Sequence, residues 1–180
     1  MRVTRRQVLL ATTLLGGAVV AGASGVTYRW WDQPHGTPYA VLSADEAAIL
    51  DAFAEACFPA GGDPPMGGGA AGVGRYFDGV LEGLVPAQQK LLRLALHALD
   101  AMPLPTHGGF LTDLPVPDAS NAVASWLAST RPEIRGLAQS FFIFVGMAWM
   151  AHPDVRPRIA PMFGCGFADQ GGLPGRLGSP

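Results

Sequence analysis

The stretch SADEAAILDAFAEACFP, Ser43 to Pro59, encodes a helix together with its start and its stop. Ser43 and Glu46 have the S-x-x-E spacing of a capping box, in which the hydroxyl and the carboxylate satisfy two backbone N–H groups that the first turn leaves unpaired. Asp45 and Glu46 also place negative charge at the positive end of the helix dipole. Leu50, Phe53, Ala54 and Cys57 recur at helical spacing, while Asp51 and Glu55 fall off that stripe. Phe58-Pro59 ends the pattern, because proline supplies no N–H to continue it. A helix with one apolar side needs other elements to cover that side.

Those elements follow downstream. After a Gly/Pro loop, AGGDPPMGGGAAG (60–72), Val73, Tyr76, Phe77, Val80 and Leu84 mark a second helix, with Asp78 and Glu82 on its other face. Pro86 opens a third at its first turn, and Leu91, Leu92, Ala95, Leu96 and Leu99 carry it to about Ala101. Residues 102–117, MPLPTHGGFLTDLPVP, hold too many prolines for a helix or a central strand and read as a long loop. A shorter helix from about Asp118 to Ser129 packs Val123, Trp126 and Leu127. Thr130 and Glu133 have capping-box spacing again and introduce a last long helix. It runs into FFIFVGMAWMA (141–151), which is apolar on every face and must be buried all round, either centrally or beneath another protein. At eleven residues that run is too short to cross a bilayer. The tail from His152 is rich in Gly and Pro and promises one turn near Asp154 to Ile159. No segment alternates with period two, so the expectation is all-α: a small irregular bundle of about five helices, long Gly/Pro loops and extended N- and C-terminal arms.

Upstream, YRWWDQPHGTPY (28–39) reads as an extended aromatic arm, in which Trp30 and Trp31 cannot both hide without a cover. Before it, Thr4-Arg5-Arg6-Gln7-Val8-Leu9 has the order of a twin-arginine export signal, and no charge follows from Val8 to Val26. Ala21-Gly22-Ala23 offers a cleavage site, although a run of that length also leaves open retention as a membrane anchor. The chain thus divides into an export signal (1–23), an aromatic arm (24–41), a helical domain (42–163) and a Gly/Pro-rich tail (164–180). Its expected destination is extracytoplasmic, periplasmic or membrane-associated.

Composition narrows the function classes. The 180 residues suffice for one domain with a real core, and the formal net charge of −2 becomes −5 once Arg2, Arg5 and Arg6 leave with the signal. With Lys90 as the single lysine and scattered arginines, a nucleic-acid surface is excluded. Charged residues make up 14% of the chain and apolar ones 49%, a balance that points to apolar surface meeting a partner. Phe141, Phe142, Phe144 and Trp149, with Trp30 and Trp31, are the candidate interface. An oxidising compartment allows a Cys57–Cys165 disulfide, two free thiols, or a bond from Cys165 to another chain, and spacing does not choose among them.

Chemistry is hard to find. Gly67-Gly68-Gly69-Ala70-Ala71-Gly72 matches G-x-G-x-x-G, yet Asp63-Pro64-Pro65-Met66 before it cannot be the strand that a dinucleotide fingerprint requires. Its glycines read as a flexible lead-in to the second helix. His35, His97, His107 and His152 form no metal-binding spacing with one another or with the cysteines, and no G-x-S-x-G occurs. No catalytic, cofactor-binding or metal-ligating residue is expected in this chain. A stand-alone periplasmic enzyme would need a polar constellation that the sequence does not offer.

The twin-arginine leader, "LSADEAAILDAFAEACFPAGG", "GAAGVGRYFDGVLEGL" and a helix ending before "HPDVRPRI" together resemble the gluconate 2-dehydrogenase subunit 3 family over roughly Leu42 to Ile159. The opening L-S-x-x-E-A…F-P-A block is the most specific part. The resemblance implies a small, non-catalytic subunit that accompanies a large FAD-containing dehydrogenase of the glucose-methanol-choline type, often beside a cytochrome c. It also implies that the small subunit carries the signal read by the twin-arginine translocase through Arg5 and Arg6. Gluconate-type members have a longer His-Thr and Gly-Gly-Asn loop where this chain has Thr106-His107-Gly108-Gly109-Phe110-Leu111, so the partner's substrate does not follow from the family's name.

Overall fold

The computed structural model describes residues 38–159. Five helices of ten or more residues build an all-α bundle: α1 (Ala44–Cys57), α2 (Val73–Glu82), α3 (Pro86–Ala101), α4 (Val116–Leu127) and α5 (Pro132–Ala151). Single helical turns at Leu104–His107 and Arg156–Ile159, and 3-10 turns at Gly68–Ala71 and Leu111–Asp113, occupy the connections. There is no strand among the described residues.

The centre belongs to α1, which packs against each of the other four long helices and both 3-10 turns. Its local signals hold: the Ser43 hydroxyl accepts from the Glu46 N–H at 3.2 Å, and the Glu46 carboxylate accepts from the Ser43 N–H at 2.8 Å. Leu42, Leu50, Phe53 and Ala54 are fully buried, with Phe77 and Leu81 of α2, Leu96 and Leu99 of α3, and Val145 of α5 closing over them. Each such large apolar side chain contributes on the order of 1.5–3 kcal/mol by leaving water. From α4, Ser120 donates its hydroxyl to the Ala56 carbonyl at 2.8 Å, which ties the C-terminal end of α1 to that helix.

Three local expectations change. The Thr130–Glu133 capping box does not form: Arg131 is the cap, its side chain makes no capping bond, and its backbone is extended (φ −80°, ψ 114°). Pro132 at the start of α5 disfavours a helical conformation in the residue before it, so the start is fixed by proline rather than by threonine. Proline tolerance in the first turn likewise lets α4 begin at Val116, ahead of Pro117. The glycines of 67–72 are not a flexible lead-in, because a Cβ on Gly68 would sit 2.1 Å from the Ala54 carbonyl oxygen, so the 3-10 turn lies directly on the backbone of α1. Gly72 then takes φ 68° to turn into α2.

Candidate partner interface

The last long helix divides into two faces. Ala138, Phe141, Val145 and Ala148 point into the bundle, where Phe141 is 2% exposed and meets the rings of Phe53 (6.4 Å) and Phe77 (5.9 Å). Phe142, Ile143, Met147 and Met150 stay 37%, 59%, 47% and 37% exposed. Ile143, Met147 and Met150 follow helical spacing, continue the exposed positions Gly136 and Gln139, and carry no charge from residue 136 to residue 151. A helix that is apolar all round is therefore covered on one side and open on the other, and it is α1 that holds the central place.

An aromatic seam marks the boundary. Phe58, from the turn that ends α1, stacks on Trp149 with centroids 4.5 Å apart and planes 7° from parallel, and on Phe142 at 5.7 Å. Trp149 donates its Nε1–H to the Met66 carbonyl at 3.0 Å, so the Gly/Pro strap 59–72 is fastened to the C-terminal end of α5. Phe144 sets its ring edge-on to Phe77 at 5.3 Å. Of the aromatic candidates, Phe141 is thus spent on the chain's own core, Phe144 and Trp149 are half-buried, and Phe142 remains on the open face. Sequence reasoning did not single out Ile143, Met147 and Met150, whose i, i+4, i+7 spacing was the available signal. Trp30, Trp31, Arg5, Arg6 and Cys165 lie outside the described residues.

The buried polar groups hold the scaffold behind this face. Glu46 of α1 is fully buried and takes Arg93 Nε of α3 on both carboxylate oxygens, at 2.8 and 2.9 Å, with His97 Nε2 3.3 Å from one of them. Burial works to raise its pKa, but the bonds from His97, Arg93 and the Ser43 N–H, with the guanidinium charge, outweigh burial and hold it below the ordinary carboxylate value. Asp78, placed by the sequence on the face opposite the apolar residues of its helix, is 5% exposed. Its carboxylate accepts the backbone N–H groups of Ala40, Val41 and Leu42 at 2.7–2.9 Å and fixes where the chain enters the domain. Glu55 accepts from Ala60 and Gly69 in the strap, at 2.9 and 3.0 Å. Asp51 accepts from the N–H of Gly74 at the start of α2, whose cap residue Gly72 has no side chain to do so, and burial pushes Asp51 up to about 6. Asp100 is also raised by burial, against the N–H and hydroxyl of Thr112.

The histidines stay apart. His97 belongs to the Glu46 cluster, His107 Nδ1 shares a 2.8 Å hydrogen bond with the Thr106 hydroxyl beside an open groove of about 580 Å³, and His152 Nδ1 lies 3.9 Å from Asp154. Among the described residues no three His, Cys, Asp or Glu side chains come together to hold a metal ion. Cys57 is half-buried and makes no disulfide among the described residues, and burial pushes its thiol up to about 12, well away from a reactive thiolate.

The helix α5 is also long and apolar enough to cross a membrane, with mean hydropathy 1.3. The eleven-residue run of the sequence is the C-terminal part of a twenty-residue helix, so length does not exclude a span; in the bundle, its inner row packs on α1, α2 and α4.

Comparison with curated proteins and with solved structures returns no match. The family model for gluconate 2-dehydrogenase subunit 3 matches residues 44–147, from the first residue of α1 into the exposed face of α5. With more than half of its length matched, the chain belongs to the gluconate 2-dehydrogenase subunit 3 family.

Proposed function

We propose that this chain is a non-catalytic accessory subunit that binds, stabilises and escorts a large FAD-dependent dehydrogenase subunit of the glucose-methanol-choline type. The observation that carries the reading is the open face of α5: four large apolar side chains on a rigid helix, with no charge over sixteen residues. A lone soluble domain rarely leaves such a contiguous row to water, and burying it against another protein stabilises a complex. Family membership supports a dehydrogenase complex as its setting. The flavin belongs to the large subunit, a cytochrome c or other electron-transfer subunit completes the complex, and this chain supplies apolar surface.

Escort follows from the leader. Arg5 and Arg6 address the twin-arginine translocase, which passes folded cargo, so a flavoprotein without a signal of its own travels bound to this chain. In a strain producing both subunits, Arg5→Lys with Arg6→Lys leaves the large subunit in the cytoplasm. Its normal appearance outside the cytoplasm with that variant contradicts the escort role.

Membrane association is the second reading, favoured by the length and hydropathy of α5 and by the uncharged run after the arginine pair. Carbonate washing of the membrane fraction separates the two: an accessory subunit leaves with its partner, and an inserted chain stays.

A further inference from the structure

Phe142, Ile143, Met147 and Met150 make a narrow strip. They are 37–59% exposed, and at roughly 200 Å² per large side chain they offer about 350 Å², under half of the ~800 Å² that each partner buries in a stable complex. A partner that holds this chain must therefore cover surface continuous with the strip. On the first turns of α5, Ile134 and Leu137 line the groove of about 580 Å³, while Gly136 and Gln139 of the same turns lie exposed in line with Ile143. The groove and the strip are two sides of one helix.

The groove is built to take an apolar group. Trp126, 8% exposed, lines it together with half-buried Met102, Ile134 and Leu137. Its edges are pinned: Arg135 donates to the Ser129 carbonyl at 2.8 Å, and Ser129 Oγ accepts the Arg131 N–H at 3.2 Å. Arg131 and Glu133 both stand on the lining, so neither an anion nor a cation is selected and the apolar side chains decide what enters. Leu104, next to Pro105 of the lining, adds apolar surface at 38% exposure.

Resting on the reading of α5 as the partner's face, we propose that the large subunit's footprint runs from the strip around the first turns of α5 into this groove, where one of its apolar side chains seats against Trp126. The groove is the anchor point, because a side chain enclosed by three helices loses more contact with water than one laid on an open helix face.

Thiol footprinting of the complex tests this. Ala98 is exposed on α3 and lines the groove, whereas Leu91, on the same helix at 64% exposure, does not. In the complex, maleimide labelling of Ala98→Cys, read by peptide mapping, should be several-fold slower than labelling of Leu91→Cys, and the two rates should be similar in the chain without its partner. Equal rates in the complex overturn the proposal. Protection at position 98 that persists without the large subunit overturns it as well, since the groove then belongs to this chain's own residues or to a second copy. Ala98→Trp, which fills the groove from an exposed position, should lower the yield of co-purified large subunit roughly tenfold, while Leu91→Trp should not. An undiminished yield with Ala98→Trp contradicts the anchor. The reading of α5 fails separately: if Ile143→Asp with Met147→Asp retains the large subunit, the face is refuted, and if that variant loses it while positions 98 and 91 label alike in the unmodified complex, only the groove is refuted.

Discussion

Glu46 and Arg93, 47 residues apart in the chain, meet in a buried ion pair at 2.8 Å that joins α1 to α3. Glu46 closes the capping box at the same time, so one carboxylate sets both where α1 begins and which helix lies across it.

Removing one partner strands a buried charge. Arg93→Met should cost roughly 3–5 kcal/mol in urea unfolding, and Glu46→Met combined with Arg93→Met should recover much of that loss, because an apolar pair carries no desolvation penalty. A single variant no worse than the double one contradicts the pair's role. The carboxyl of Glu46 is held below its ordinary value of 4.5, so its contribution is complete above that pH and is lost as pH falls through the lower folded value.

Asp51 acts in the opposite sense. Its folded pKa of about 6 lies above the ordinary 3.8, so between these values the unfolded chain has released the proton while the folded one keeps it. Stability should decline as pH rises through that window, by up to about 3 kcal/mol at 1.36 kcal/mol per unit, and level off above it. Asp51→Asn should flatten this part of the profile. An unchanged slope between pH 4 and pH 6 shows that Asp51 ionises alike in both states.

At Gly68 the limit is steric. Gly68→Ala should lower stability by roughly 1–3 kcal/mol or more, since the new methyl would meet the Ala54 carbonyl oxygen and the 3-10 turn would have to leave α1. Gly79→Ala, where a Cβ meets nothing within 4 Å, serves as the control and should be neutral or stabilising. Equal effects at the two positions refute the close approach.

The elements were legible wherever the signal is local. The Ser43–Glu46 box, Phe58-Pro59 and the Pro86 start placed α1 and α3 within a residue, because caps and prolines act on the turn in which they stand. Asp78 was misplaced because periodicity describes only the helix's own surface, whereas the N–H groups of Ala40 to Leu42 arrive from outside it. Glu46 looked like a cap alone, since nothing near it in sequence announces Arg93. The run 141–151 called for cover on every side, centrally or by another protein, and its apolar composition hid which side faces out, for Phe141 and Ile143 are equally apolar. Only the packing of α5 against α1, α2 and α4 separates them.

Co-purification of the large dehydrogenase subunit with a face variant tests the accessory role most directly. Ile143→Asp with Met147→Asp puts two charges on the open side of α5 and leaves its inner row untouched, so helicity by circular dichroism should match the wild type. The account predicts that this double variant loses the large subunit while Leu91→Asp on α3 retains it. Retention of the large subunit by a folded Ile143→Asp, Met147→Asp chain, at the yield of the unmodified one, would contradict the assignment of α5 as the partner's face.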